Sequence, residues 1–295
     1  MSKRNKNWKQ ILLFLLPVLT LFSVYFVYPL VFVMISSLTK WNGVTAMQFQ
    51  WFTNYTNLFQ SENFRLSFKN NILWALILGL IQIPLAAGMA MILARKPRGW
   101  KTFRTIYFLP NVISQVALAM MWLAIYNAEF GMLNGLLRAV GLESWTHNWL
   151  GEFETAFPAV IIQQLFYIGY FMIVILASRM GIPESFYEAA EIDGANTFRQ
   201  ELHITIPMLR GILVTTMTLA MAYGMRHFES TYLMTNGGPA HRTSVMGIIL
   251  YRNLEALRFG EANAIGTILI ITGGAVIAFL RWLLGRNASA SDAVQ

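Results

Sequence analysis

Long apolar runs alternate with polar stretches along the whole chain. Six runs stand out: Ile11–Ile35, Ile72–Ala94, Thr105–Tyr126, Ala156–Ser178, Met208–Met234 and Ala262–Leu284. A helix needs about 20 mostly apolar residues to cross the hydrocarbon core. The runs are continuous and lack the period-two alternation of a barrel strand, so they predict helices. The first four contain no charged residue; Pro110 and Asn111 interrupt the third, and the fifth ends in a polar patch. The first run follows Lys3, Arg4, Lys6 and Lys9, as a secretory signal would. It exceeds the usual length of a signal core and no small-residue cleavage site follows, so it reads as a retained helix.

Composition agrees. Of the 295 residues, 56% are hydrophobic and 12% charged, about half the charge of a soluble domain. The net charge of +8 is a topological signal, because most basic residues flank apolar runs; nucleic acid is not an expected partner. With the N-terminus inside, fourteen of the 22 basic residues fall on inner segments and eight on outer ones. Arg95, Lys96, Arg98, Lys101 and Arg104 between the second and third runs decide it, placing both termini in the cytoplasm. The chain has no cysteine, which removes disulfides, thiolate metal sites and cysteine nucleophiles. Outer segments Ser36–Asn71, Asn127–Thr155 and Thr235–Glu261 carry Trp41, Trp51, Trp145 and Trp149, suited to a headgroup interface or a docking surface. The expected organisation is one transmembrane domain over 1–295: an N-terminal helix (1–36), core helices (70–284) with an inner loop (183–207), and a polar tail (285–295).

The inner stretch YEAAEIDGANTFRQELHITIPMLRG, Tyr187 to Gly211, is the longest polar segment between two apolar runs on that side. Pro183 and Glu184 open a short helix. Phe186, Tyr187 and Ala190 form its apolar side; Glu184, Glu188 and Glu191 form the other. Asp193-Gly194 predicts the bend that ends it. A second helical run starts at Asn196, with Pro207 in the first turn of the next span. Anionic lipid repels an acidic helix, so a protein groove on the cytoplasmic side fits better than a headgroup surface.

Glu188-Ala189-Ala190, Asp193-Gly194-Ala195, nine residues to Ile204, then Pro207 resemble the "EAA" loop of type I ABC importer membrane subunits. Thr235-Asn236-Gly237-Gly238-Pro239 resembles the T-x-G-G-P of the carbohydrate-uptake branch, and Tyr251-Arg252 and Gly260-x-x-x-Ala264 fit it. Glu201 and Gly211 depart from that pattern, which commonly has an aromatic and often a proline there. The resemblance covers roughly Asn70 to Leu284. It implies an all-α permease fold with six spans in a bacterial cytoplasmic membrane, serving as a non-catalytic subunit of a binding-protein-dependent sugar importer, with oligosaccharide the expected cargo. It implies a second homologous permease, two cytoplasmic ATPases and an extracytoplasmic solute-binding protein. Glu188, Ala189, Ala190, Asp193 and Gly194 would couple to the ATPase. ATP and Mg would be held by the ATPases; the chain has no G-x-x-x-x-G-K-[ST] loop and no Gly-Lys pair.

Polar groups at membrane depth default to function. Gln163, Tyr167 and Tyr170 fall at i, i+4, i+7 on the fourth run, and Tyr223 and His227 at i, i+4 on the fifth, with Ala220 and Gly224 beside them. Tyrosine rings suit sugar faces and the amide and imidazole groups suit hydroxyls; Ala220 and Gly224 would leave room for a ligand. The competing role for all seven is helix packing. Gln82, Asn111, Ser114 and Gln115 read as structural or gate-lining. Arg226 and Glu229 are expected to pair. An ion-coupled transporter would want a buried acid, yet Glu229 is the only acid in the six runs. Glycerol phosphate or a polyol is an alternative cargo, with Arg226 to meet a phosphate. The four histidines are dispersed without ligand spacing, so no metal site is expected.

Overall fold

The structure is a computed structural model that describes residues 8–285. The segment 286–295 of the expected tail, and Lys3, Arg4 and Lys6, lie outside it. The described residues divide into two compact units, 8–61 with 249–268, and 62–248 with 269–285.

Among the described residues, four helices are long and apolar enough to cross a membrane: Gln10–Ser36, Glu62–Ala94, Ala156–Met180 and Phe259–Leu283. They are the first, second, fourth and sixth spans. The third is a bent pair, Trp100–Val112 and Gln115–Ile125 at 105°; the fifth is Thr197–Met208 and Arg210–Met225 at 74°. Two sets of contacts show that each bent pair crosses once. After the second span, the Arg95 guanidinium meets the Glu201 carboxylate, which follows the fourth span, at 3.0 Å. At the opposite end, Arg242 Nε donates to the carbonyl of Phe153 (3.3 Å), and Asn70 Nδ2 to the carbonyl of Arg242 (2.9 Å). Residues 95 and 201 therefore share one end, 70, 153 and 242 the other, and each bent pair joins the two.

Several expected boundaries are corrected. The second span begins at Glu62, not Ile72, and its first turns stand outside the apolar run. The third begins at Trp100 rather than Thr105. The fifth ends at Met225, and a separate helix, Glu229–Thr235, follows the break. A run of apolar residues does not report a break whose polar backbone is satisfied from another helix. Here Asn71 supplies that partner: its Nδ2 donates to the carbonyl of Met225 (2.9 Å), and its Oδ1 accepts from the N–H of Met246 (2.7 Å).

In the second unit, the second span packs on the fourth through Ala86, Ala87 and Ala90, all buried. Small residues let backbones approach closely where lipid offers no hydrophobic drive. Gly79 does the same against Met221 of the fifth span, where a Cβ would lie 2.4 Å from the Met221 side chain. In the first unit, a two-stranded hairpin pairs Thr39 with Phe49 and Lys40 with Gln48. Buried Asn54 ties it down, donating to the carbonyls of Ser37 (2.8 Å) and Thr39 (3.0 Å). Trp41 packs between Phe32 and Phe259.

Candidate functional site

Three spans of the second unit lose regular helix near their middles. The second has a π-helical turn at Leu78–Gln82, the third a 3-10 turn at Leu109–Val112, and the fourth breaks at 166–168. The fifth stops at Met225. All four irregular points open on one cavity of about 310 Å³, lined by Gln82, Asn111, Gln115, Gln164, Tyr167, Tyr170, Tyr223 and Arg226, with Pro110, Ile113, Phe171 and Leu219. Freed backbone at membrane depth is tolerated where it is buried in protein or lines a cavity. Gln82 satisfies part of it: Nε2 donates to the carbonyls of Gln164 (3.1 Å) and Tyr167 (3.3 Å) across the break in the fourth span.

The Tyr167 hydroxyl accepts from Trp122 Nε1 and from Gln163 Nε2, each at 2.9 Å. Its two lone pairs are thus used and its proton remains to be given. Gln164 Oε1 is buried with no hydrogen-bond partner. Tyr170 and Tyr223 are open, at 51% and 38% exposure. Gly169 brings the fourth span onto the third; a Cβ there would lie 2.0 Å from the carbonyl oxygen of Tyr107.

The cavity gathers Tyr167, Tyr170 and Tyr223 of the expected lining residues, and leaves out four. Gln163 is buried behind Tyr167, to whose hydroxyl it donates, while Tyr167 and Tyr170 stay on the cavity wall. His227 lies beyond the end of the fifth span. Its ring stacks on Trp74 at 3.8 Å and its Nε2 meets Ser230 Oγ at 2.8 Å. Ala220 is fully buried, and a Cβ on Gly224 would lie 2.7 Å from Ala75 Cα. The space beside Gly224 is taken by the backbone of the second span. Arg226 and Glu229 do not pair, because the helix ends between them. Ser114 is an N-cap that accepts from the N–H of Ala117 (3.3 Å). Gln164 was not anticipated; the Gln163-Gln164 doublet just before the break was its signal.

A larger cavity, about 540 Å³, lies in the first unit beside the hairpin. Its Asn42 caps its own turn through Val44 and Thr45, and its Asn54 is consumed by backbone. Its amides hold the loop, so the smaller cavity is the stronger candidate.

On the inner side, Ser185–Ile192 forms a helix, Asp193 caps it, and Gly194 turns the chain at φ +79°. Asn196 caps the next helix by accepting from the N–H of Arg199 (2.9 Å). Glu188, Ala189, Asp193 and Gly194 are exposed and Ala190 is half-buried. The apolar side is not the one expected. Only Tyr187 turns inward, while Phe186, Ile192 and Phe198 are 50%, 88% and 74% exposed. The segment thus presents apolar rings and carboxylates together, a surface suited to a protein groove.

The family model of the binding-protein-dependent transport system inner membrane component matches residues 82–289. The chain belongs to that family. The permease is 34% identical to the probable ABC transporter permease protein YurN of Bacillus subtilis over 264 residues, 88% of this chain and 90% of that one. It is 31% identical to the diacetylchitobiose uptake system permease protein NgcF of Streptomyces coelicolor over 265 residues, 85% of this chain and 75% of that one. A solved bacterial alginate ABC transporter in complex with an alginate pentasaccharide-bound periplasmic protein contains a chain of the same fold, with TM-score 0.82 and 24% identity over 94% of each chain. The permease is thus a multi-pass inner-membrane component with an ABC importer fold.

Proposed function

We propose that this permease forms half of the path by which an ATP-driven importer moves a sugar, most simply an oligosaccharide, delivered by an extracytoplasmic binding protein. The observation that carries the reading is the convergence of four helix irregularities on one cavity lined by tyrosines and carboxamides. Broken helices at mid-depth are where transporters hold polar cargo. Tyr170 and Tyr223 offer ring faces to a pyranose; Gln164 Oε1 and the Tyr167 proton offer one acceptor and one donor. The relationship to a diacetylchitobiose permease supports the substrate class. Ala220, Gly224, His227 and Gln163 act by holding this wall in place.

The chain itself does no chemistry in this reading. A second homologous permease completes the path, and two cytoplasmic ATPases bind ATP and Mg. The segment of Glu188, Ala189, Ala190, Asp193 and Gly194 docks on an ATPase and transmits its closure. What supports this is the exposed apolar and acidic surface on the inner side.

The test is ATP hydrolysis by the reconstituted complex, with binding protein, against a panel of mono- and oligosaccharides. At least one is expected to raise the rate, and Tyr223→Ala to blunt that rise without loss of assembly. Stimulation by non-sugar solutes alone would overturn the reading. One observation favours a second cargo: Arg226 lines the cavity, and among the described residues no carboxylate lies within ion-pair distance of it. Glycerol phosphate therefore belongs in the panel.

A further inference from the structure

Glu201, where the related pattern commonly has an aromatic, is the most enclosed acid on the inner side; its side chain is 11% exposed. Its Oε1 accepts from Arg95 Nη2 (3.0 Å) and Nε (3.2 Å) and lies 3.5 Å from Arg179 Nη2. Arg95 follows the last turn of the second span and Arg179 lies in the last turn of the fourth. Arg95 also donates to Thr197 Oγ1 (3.0 Å), and the Arg179 guanidinium lies 4.0 Å from the ring centre of Tyr187. Tyr187 is the inward residue of the 185–192 helix, and its hydroxyl meets Thr205 Oγ1 at 2.8 Å. One carboxylate thus joins the inner ends of two spans to both halves of the loop between the fourth and fifth.

We propose that Glu201, with Arg95 and Arg179, is a positioning clasp that makes the exposed loop and the inner ends of the second and fourth spans one rigid body. The inference rests on the coupling role proposed above and adds the route. Chain connectivity ties the loop to the fourth and fifth spans only. Through Arg95, displacement of the loop also reaches the second span, which carries Gln82 on the cavity wall. Both ion pairs are charge-assisted: the Arg95 pair is short, at 3.0 Å, with the arginine 36% exposed, and the Arg179 pair is longer, at 3.5 Å, and enclosed on both sides. Arg179 is held from two sides, by a carboxylate and a ring face, which fixes the plane of its guanidinium.

The cysteine-free chain allows a direct test in the full complex. A Leu219→Cys reporter on the cavity wall is labelled with a water-soluble maleimide, with and without ATP plus vanadate and binding protein. With the clasp intact, labelling is expected to differ several-fold between the two states. Glu201→Gln, isosteric but uncharged, is expected to remove that difference while the complex still co-purifies and hydrolyses ATP at its basal rate. If Glu201→Gln does not co-purify, Arg95→Gln carries the same test, since it keeps the Glu201–Arg179 pair and removes only the link to the second span. Unchanged nucleotide-dependent labelling in the clasp variant would overturn the clasp and leave the coupling role standing. No nucleotide-dependent change even with the clasp intact would overturn the coupling role itself.

Discussion

The mid-membrane cavity and the inner clasp are both polar places in an apolar protein, and they differ in whether charge meets charge. At the clasp, Glu201 Oε1 takes both arginines and Arg95 spreads its remaining donors over the adjoining loop, while Glu201 Oε2 and Arg179 Nε are buried without a hydrogen-bond partner. At the cavity, Gln164 Oε1 and the Tyr167 proton have no protein partner, and among the described residues no carboxylate pairs with Arg226. Opposite charges tie helices together at the clasp even where single atoms go unmet. The cavity holds no such pair, and at either place an unmet buried group costs about 1–3 kcal/mol.

That contrast can be broken or sharpened by substitution. The largest effect is expected from Gly194→Pro. The bend needs φ +79° and proline is confined near −65°, so substrate-stimulated ATP hydrolysis should vanish while membrane insertion, read by fractionation, survives. Persistent stimulation would separate the loop from coupling. Next comes Gly224→Ala, whose Cβ would lie 2.7 Å from Ala75 Cα. Overpacking of this kind costs about 1–3 kcal/mol, visible as a lower melting temperature of the detergent-solubilised complex. Tyr223→Ala should lower transport roughly tenfold, the factor that about 1.4 kcal/mol of lost binding gives, with the melting temperature kept. His227→Ala should do the reverse. It removes a ring stack worth about 0.5–1.5 kcal/mol, so stability should fall before the substrate affinity of what remains folded. Equal behaviour of the two variants would erase the distinction between lining and packing.

The smallest effect lies in the outer segment. The Glu152 carboxyl is held below its ordinary range, first by the N–H of Asn148 and then by His147. A depressed folded pKa means the local stabilisation is full above the ordinary carboxylate range and is lost as pH falls through the folded value. Trp149, whose ring lies 5.3 Å from His147, is the natural reporter. Its fluorescence should change on acidification, and Glu152→Gln should abolish the change.

Much of the architecture was legible because lipid imposes length and apolarity on any crossing helix. The six crossings, the sidedness from Arg95 to Arg104, the bend at Gly194 and the interruption at Pro110 all follow from residue type and spacing. The site was legible only in part. Tyr223 and Tyr170 stand out because an aromatic with a polar tip is conspicuous at depth, and both line the cavity. His227, Gly224 and Gln163 lie off its wall, and regular helix does not continue through 166–168 and 226–228, where the backbone breaks. No local signal marks those breaks, since their partners are Gln82 and Asn71, some 80 and 150 residues away in sequence. Glu201 was visible as a departure, but its meaning needed Arg95, brought to it from 106 positions earlier.

The near-contact at Gly169 has a mechanical corollary. With 2.0 Å between its Cβ position and the Tyr107 oxygen, the third and fourth spans touch main chain to main chain beside their two kinks. Those kinks share a single fulcrum, so swinging either helix alone would tear this seam open. Leu219 and Tyr223, on the fifth-span wall of the same cavity, lie outside this seam and are 51% and 38% exposed.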